Sequence, residues 1–222
     1  MYKKFVKRLL DLILALIGSI LLIPVFLLVA LAIEIDDPGP VIYSQKRVGK
    51  DKKLFRMHKF RSMKVNTPEL PTHLLSDPEQ YITRVGRFLR RTSLDEIPQI
   101  WDILLGRCSV IGPRPALWTQ DDLVAERDKY GANSVLPGLT GWAQINGRDE
   151  LEIPVKAKLD GEYVAALNAG HGKGFLMDVK CFFGTVRTVL THQGFVEGGT
   201  GKLHAEKPPR SEKDADGKAD EE

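Results

Sequence analysis

The stretch LILALIGSILLIPVFLLVALAI, from Leu12 to Ile33, runs for 22 residues without a charge. As one straight helix it would be about 33 Å long, the depth of a bilayer's hydrocarbon core. Pro24 stands near its middle, and a proline removes one ladder hydrogen bond and bends a helix. Basic residues flank both ends: Lys3, Lys4, Lys7 and Arg8 before it, then Lys46, Arg47, Lys50, Lys52 and Lys53 beyond an acidic patch at Glu34, Asp36 and Asp37. Positive flanks mark the cytoplasmic side. A helix broken at Pro24 that enters and leaves by the same leaflet satisfies both observations. A plain spanning helix is the other reading, since proline is tolerated there too. A cleaved signal peptide fits badly, because the run exceeds a signal's apolar region and no small-x-small site closes it. Asp11, one turn beyond Lys7 and Arg8, reads as a partner for a cation near the interface or as a solvated charge.

Asp37-Pro38-Gly39-Pro40 is a hard break. It divides the chain into an anchor over 1–37, a body over 38–196 and a tail over 197–222, where glycines, prolines and charges predict disorder. The whole chain has 222 residues, net charge +3, 43% hydrophobic and 27% charged residues, which excludes a disordered, collagenous or mucin-like protein. Ala205 to Glu222 holds four Lys/Arg against seven Asp/Glu, so the first 204 residues carry +6. A basic body fits an anionic partner: phosphate, nucleic acid or a membrane surface. Cys108 and Cys181 stand alone, the five histidines show no metal spacing, and there is no Walker A loop.

In the body, Val41-Ile42-Tyr43 predicts a short strand. Leu54 to Met63 alternates as a strand does, with Lys59 and Arg61 on one basic face. Tyr81 to Arg91 changes period: Ile82, Val85, Phe88 and Leu89 share one helical face, and Arg84, Arg87 and Arg91 another. Such a helix either covers a core with a solvated face or lies in an anionic interface; proximity to the apolar run favours the second. A last amphipathic helix opens at Met177 and runs through Leu190.

Ser93-Leu94-Asp95-Glu96-Ile97-Pro98 has capping-box spacing at Ser93 and Glu96. With Ser93 as cap, however, Pro98 would be the fifth helical residue and forfeit a bond, so the helix is expected to start at Asp95 or Glu96. That leaves two carboxylates at a positive helix end, which also attracts phosphate. Neighbours in sequence do not share a helix face. The pair reads as ordinary first-turn carboxylates, or as a nucleophile and a metal ligand dividing the work. Ile111-Gly112-Pro113-Arg114-Pro115 fixes Arg114 between prolines, as a rigid anion grip or an exposed turn. Leu136 to Arg148 combines turns, one tryptophan and a Gly-Arg pair, a candidate nucleotide loop.

Five segments occur in order: Lys-Arg-x-x-Asp before a Pro-broken apolar run, Lys-Phe-Arg-Ser-Met, Ser-Leu-Asp-Glu-Ile-Pro-Gln, Ile-Gly-Pro-Arg-Pro, and Pro-Gly-Leu-Thr-Gly-Trp-Ala-Gln-Ile-Asn-Gly-Arg. Together they resemble the bacterial sugar transferase family, the small monotopic polyprenyl-phosphate phosphoglycosyl transferases, over Tyr2 to Val196. The resemblance implies an α+β fold: a mostly helical cytoplasmic body with short strands, a re-entrant N-terminal membrane helix and interfacial amphipathic helices. It implies transfer of a sugar 1-phosphate from a UDP-sugar to undecaprenyl phosphate, with release of UMP, at the cytoplasmic face of a bacterial inner membrane. Asp95 falls at the family's nucleophile and Glu96 at its dyad partner, both also positions for Mg²⁺. Lys59, Arg61, Arg91, Arg114, Gln144, Gly147 and Arg148 are the implied substrate-binding residues. Membrane lipids, downstream glycosyltransferases and a second copy of the chain are implied partners, and nucleic acid is not. Two departures stand out. Ile23-Pro24 replaces the Ser-Pro that some members carry at the break, and Asp149 follows Asn-Gly-Arg where Asn also occurs. At this length the extra N-terminal spanning helices of larger relatives are not expected.

Overall fold

The structure, a computed structural model, describes residues 2–68, 77–147 and 150–191. The expected tail at 197–222 lies outside them, as do Arg148 and Asp149. The fold is mixed α+β: mostly helical with short strands. After a π-type turn over Tyr2–Val6 come α1 (Lys7–Leu21) and α2 (Ile23–Asp36). The two are bent by 60° at Leu22, with Pro24 in the first turn of α2, where its missing N–H costs nothing. Among the described residues no single helix is long and apolar enough to cross a membrane; the bent pair together has the length and composition.

The α1 helix is inverted relative to an ordinary amphipathic helix. Its buried residues are Lys7, Asp11 and Ala15, spaced by four, while Leu9, Ile13, Leu16, Ile17 and Ile20 are exposed. Lys7 donates to Asp178 (2.9 Å), which also accepts from Tyr2 and Tyr163. Asp11 accepts from the Ser109 hydroxyl and the Val110 amide. The sequence suggested a nearby cation for Asp11; a β-strand edge fills that role instead. Ala15 packs with Ile103 and Cys108. On α2, Val29 and Ile33 join Phe60 and Leu89 in a second cluster.

Strands β1 (Ile42–Val48) and β2 (Leu54–Phe60) form an antiparallel hairpin, pairing Ile42 with Phe60 and Val48 with Leu54. β2 ends at Phe60, three residues before the expected end at Met63. Next comes α3 (Arg84–Thr92), capped by Thr83, whose hydroxyl accepts from the Gly86 amide. A Cβ on Gly86 would stand 2.0 Å from the Ser62 carbonyl, so only glycine lets α3 settle on the chain after β2. Phe88, assigned to the apolar face by period, is exposed beside the arginines.

The expected helix start at Asp95 or Glu96 is not observed. Ser93 adopts a left-handed conformation (φ 56°) and ends α3; Leu94–Glu96 makes a 3-10 turn; α4 (Gln99–Leu104) begins only after Pro98. Pro98 stands just before the helix, where no ladder bond calls for the N–H it lacks. Two short strands invisible to periodicity follow, β3 (Ser109–Ile111) and β4 (Gly138–Thr140), paired in parallel. Between them lies α5 (Asp121–Asp128), and after them α6 (Trp142–Ile145), α7 (Ile153–Asn168) and α8 (Lys173–Thr191). The core here centres on Ile111, Tyr163, Val164, Leu167 and Cys181.

Candidate active site

Three segments far apart in sequence converge on two carboxylates. The 3-10 turn presents Asp95 and Glu96. Lys59, the penultimate residue of β2, places Nζ 3.0 Å from Glu96 and 3.8 Å from Asp95. Arg114, in the loop after β3, donates to Glu96 at 2.6 Å and 3.4 Å, a two-pronged grip. Glu96 is therefore the carboxylate to which both cations turn, and Asp95 is the more weakly engaged.

Asp95 is 8% exposed. Burial is the largest influence on it and raises its pKa above the ordinary carboxylate value. Lys59 opposes that rise, Glu96 adds to it, and Arg90 and Arg114 oppose it. Arg90 was not a candidate from sequence. It sits on the inner side of α3 with Gly86, and its Nε donates to Ser62 at 2.9 Å. The signal was available: Arg84, Arg87 and Arg91 share one face and Arg90 falls off it. Arg91 itself is exposed on the last turn of α3.

Arg61 does not follow Lys59 to the carboxylates. Its amide still pairs with the Val41 carbonyl (2.8 Å), but its guanidinium is held by the side chain of Asp37 (2.7 Å) and by the Asp37 carbonyl. Gln144 is buried in α6, and both ends of its side-chain amide lack a hydrogen-bond partner in the structure. Gly147 follows α6 at φ 139°, a conformation that favours glycine. Arg148 lies outside the described residues. Cys108 and Cys181 are buried, and burial pushes each thiol up to about 12, so neither is an available nucleophile.

Beside this site, the bend between α1 and α2 faces α4 across a cavity of about 170 Å³. Its lining includes Leu22, Ile23, Phe26, Ile97, Ile100 and Trp101, almost wholly apolar. Ile97 adjoins Glu96 in the chain, so the cavity and the carboxylates share one turn.

A profile described as "Bacterial sugar transferase" matches residues 2–192. The chain belongs to the bacterial sugar transferase family. It is 40% identical over 174 residues to "UDP-glucose:undecaprenyl-phosphate glucose-1-phosphate transferase" of Escherichia coli (strain K12), covering 72% of this chain and 36% of that protein. It is 35% identical over 195 residues to "UDP-N-acetylgalactosamine-undecaprenyl-phosphate N-acetylgalactosaminephosphotransferase" of Aeromonas hydrophila, covering 86% and 45%. "Exopolysaccharide production protein PSS" of Rhizobium leguminosarum bv. phaseoli is 36% identical over 201 residues, 85% of this chain and 98% of that protein. The chain thus spans less than half the length of the first two relatives, and nearly all of the third.

Proposed function

We propose that this chain transfers a sugar 1-phosphate from a UDP-sugar to undecaprenyl phosphate, releasing UMP, as a membrane step in surface glycan synthesis. The observation that carries the reading is the Asp95–Glu96 pair gripped by Lys59 and Arg114 in a family whose named members act on these two phosphates. Asp95, with the weaker cation contact, is the nucleophile. Its carboxylate oxygen attacks the sugar-bearing phosphorus of the diphosphate, the bond to the bridging oxygen breaks, and UMP leaves with the electron pair. An oxygen of the lipid phosphate then attacks the same phosphorus and frees the carboxylate. Lys59 and Arg114 hold Glu96 and offset the charge that two anionic reactants bring together.

Mg²⁺ suits this donor set. Among the described residues no cluster of three or more His, Cys, Asp or Glu could hold a metal, but Mg²⁺ binds through one or two carboxylates with substrate phosphates and water. Asp95 and Glu96 would hold it, and it would supply Lewis-acid neutralisation of the diphosphate.

Membrane attachment through the bent α1–α2 pair, with the site on the cytoplasmic side, is part of the same reading. It is supported by the inverted α1, whose Lys7 and Asp11 are buried and whose exposed face is leucine and isoleucine. The exposed Phe175, Leu176, Phe182, Phe183 and Val186 fall within one arc of α8, a second apolar face suited to an interface. The cavity at the bend offers the acceptor's isoprenoid tail an apolar seat next to Glu96.

The test is a panel of UDP-sugars assayed for UMP release with and without polyprenyl phosphate. Release that requires the lipid is expected. Release into water alone would make the chain a hydrolase, and lipid binding without turnover would make it an anchor.

A further inference from the structure

Arg114 is held at its backbone as closely as at its side chain. Four consecutive carbonyls each receive a donor. Pro113 accepts from the Gly138 amide (2.9 Å), Arg114 from Arg127 Nη2 (2.9 Å), Pro115 from Arg47 Nη1 (3.1 Å) and Ala116 from the Val48 amide (2.9 Å). The donors come from β4, α5 and β1. The two prolines, lacking N–H groups, cannot form a ladder of their own, so the segment is fixed through its carbonyls. A Cβ on Gly138 would stand 2.0 Å from the Gly112 nitrogen, which lets β4 press against this loop.

The Arg127 contact is the one made by a charged side chain brought out of water. Arg127 and Asp160 are 5% and 1% exposed at their side chains; Asp160 Oδ2 accepts from Arg127 Nε at 2.8 Å, and the ion pair is closed by Nη2 2.6 Å away. Asp160 comes from α7, and α5 packs on α7 through Leu123 and Ala157. A buried ion pair seldom repays its desolvation, and apolar residues of similar volume often serve stability as well. Stability alone therefore does not explain why a guanidinium is kept here. An apolar side chain would leave the Arg114 carbonyl without its donor.

We propose that Arg127, locked in place by Asp160, is a positioning residue that sets Arg114 against Glu96. Neither residue touches the carboxylates. Asp160 fixes the guanidinium plane, Arg127 fixes the Arg114 carbonyl, and the short backbone between prolines passes that constraint to the Arg114 side chain. The inference rests on the transferase reading only for its effect on turnover.

Two measurements on the full chain in lipid nanodiscs test it. The first is amide hydrogen exchange without substrate in Arg127→Lys, which keeps a charge against Asp160 but loses the second donor, and in Asp160→Asn. Exchange at Val48 and Gly138, the neighbouring amides of the cradle, should quicken by about tenfold. The second is a cycle with Arg114→Met, with rates normalised to folded protein. Arg127→Lys should lower kcat about tenfold with KM for the donor nearly unchanged, yet by less than about twofold when Arg114 is already methionine. If Arg127→Lys does not fold, Asp160→Asn completes the cycle. Equal losses in both backgrounds, or unchanged exchange at Val48 and Gly138, overturn the proposal. Quickened exchange in a chain that shows no transfer would sink the transferase reading and leave the cradle standing.

Discussion

Asp11 and Ser109, 98 residues apart in the chain, meet in a hydrogen bond of 2.8 Å inside the protein. The other Asp11 oxygen accepts from the Val110 amide at 3.0 Å, so one carboxylate on α1 closes the edge of β3. Asp11→Ala would strand the Val110 amide and leave the Ser109 hydroxyl only the Ile111 carbonyl, and should cost about 1–3 kcal/mol, which lowers the melting temperature by roughly 2–12 °C. Asp11→Asn should cost far less. Ser109 also lies 3.0 Å from the Ile111 carbonyl, so its hydroxyl can turn there and accept from the new amide. If Asp11→Asn were as damaging as Asp11→Ala, the charge rather than the hydrogen bonds would be what matters.

With Asp95 as nucleophile, the proposed route is covalent. Asp95→Asn should abolish transfer, because the amide cannot attack phosphorus. In the wild type, label should exchange between UMP and UDP-sugar with no lipid acceptor present. Failure to see exchange, with transfer intact, would require both substrates to react in one ternary step.

Burial raises the pKa of Asp95, so the acid limb of the rate–pH profile should lie above the ordinary carboxylate value of 3.8. Lys59→Met removes the strongest opposing charge and should move the limb higher. Glu96→Gln removes a repulsive neighbour and should move it lower. The same shift acts on stability. A folded pKa raised above the unfolded one gives stability that is present at low pH and lost as pH rises through the folded value. Asp95→Asn should therefore melt higher than the wild type at neutral pH while inactive, which calorimetry of the two proteins would read directly.

In the proposed reaction, two carboxylates beside a diphosphate and a lipid phosphate leave a large excess of negative charge for Lys59 and Arg114 to balance. Chelator should stop turnover and added Mg²⁺ should restore it. Full activity in chelator would leave the cations of the chain as the sole counter-charge.

Much of the site was legible because its chemistry is local. Asp95 and Glu96 are adjacent, Lys59 lies in a strand with clear alternation, and Arg114 is marked by two prolines. The remainder depends on partners distant in sequence. Lys7 pairs with Asp178 across 171 positions and Arg127 with Asp160 across 33, and neither pairing leaves a periodic trace. β3 and β4 have three residues each and are bordered by glycine and proline, so they read as turns. Arg61 shows the limit of parity: one residue past the end of β2 its amide still pairs with the Val41 carbonyl (2.8 Å), yet Asp37 captures the side chain.

The two ends of the bent α1–α2 pair are tied to the same body. Lys3 donates to Asn168 on α7 (2.8 Å) and Lys7 to Asp178 on α8, while Asp37, just past α2, holds Arg61. With α1 and α2 bent by 60° between these anchors, both ends should face the cytoplasm. Single cysteines at Lys3 and Lys53 should resist an impermeant thiol reagent in intact cells and react after permeabilisation. Cys108 and Cys181 would be replaced first, although both are buried with thiols pushed up to about 12, so they should contribute little background. Pro24→Ala restores an N–H to the first turn of α2 and favours a straighter helix. That straightening competes with the Lys3, Lys7 and Asp37 ties, so only part of the population should expose the N-terminal cysteine outside. Activity should fall with that part, because straightening pulls α2 from Phe60 and Leu89, whose cluster also holds Leu94 and Ile97 at the two ends of the turn that carries Asp95 and Glu96. Labelling of the wild-type N-terminal cysteine in intact cells would contradict the same-side arrangement and make α1–α2 a single crossing.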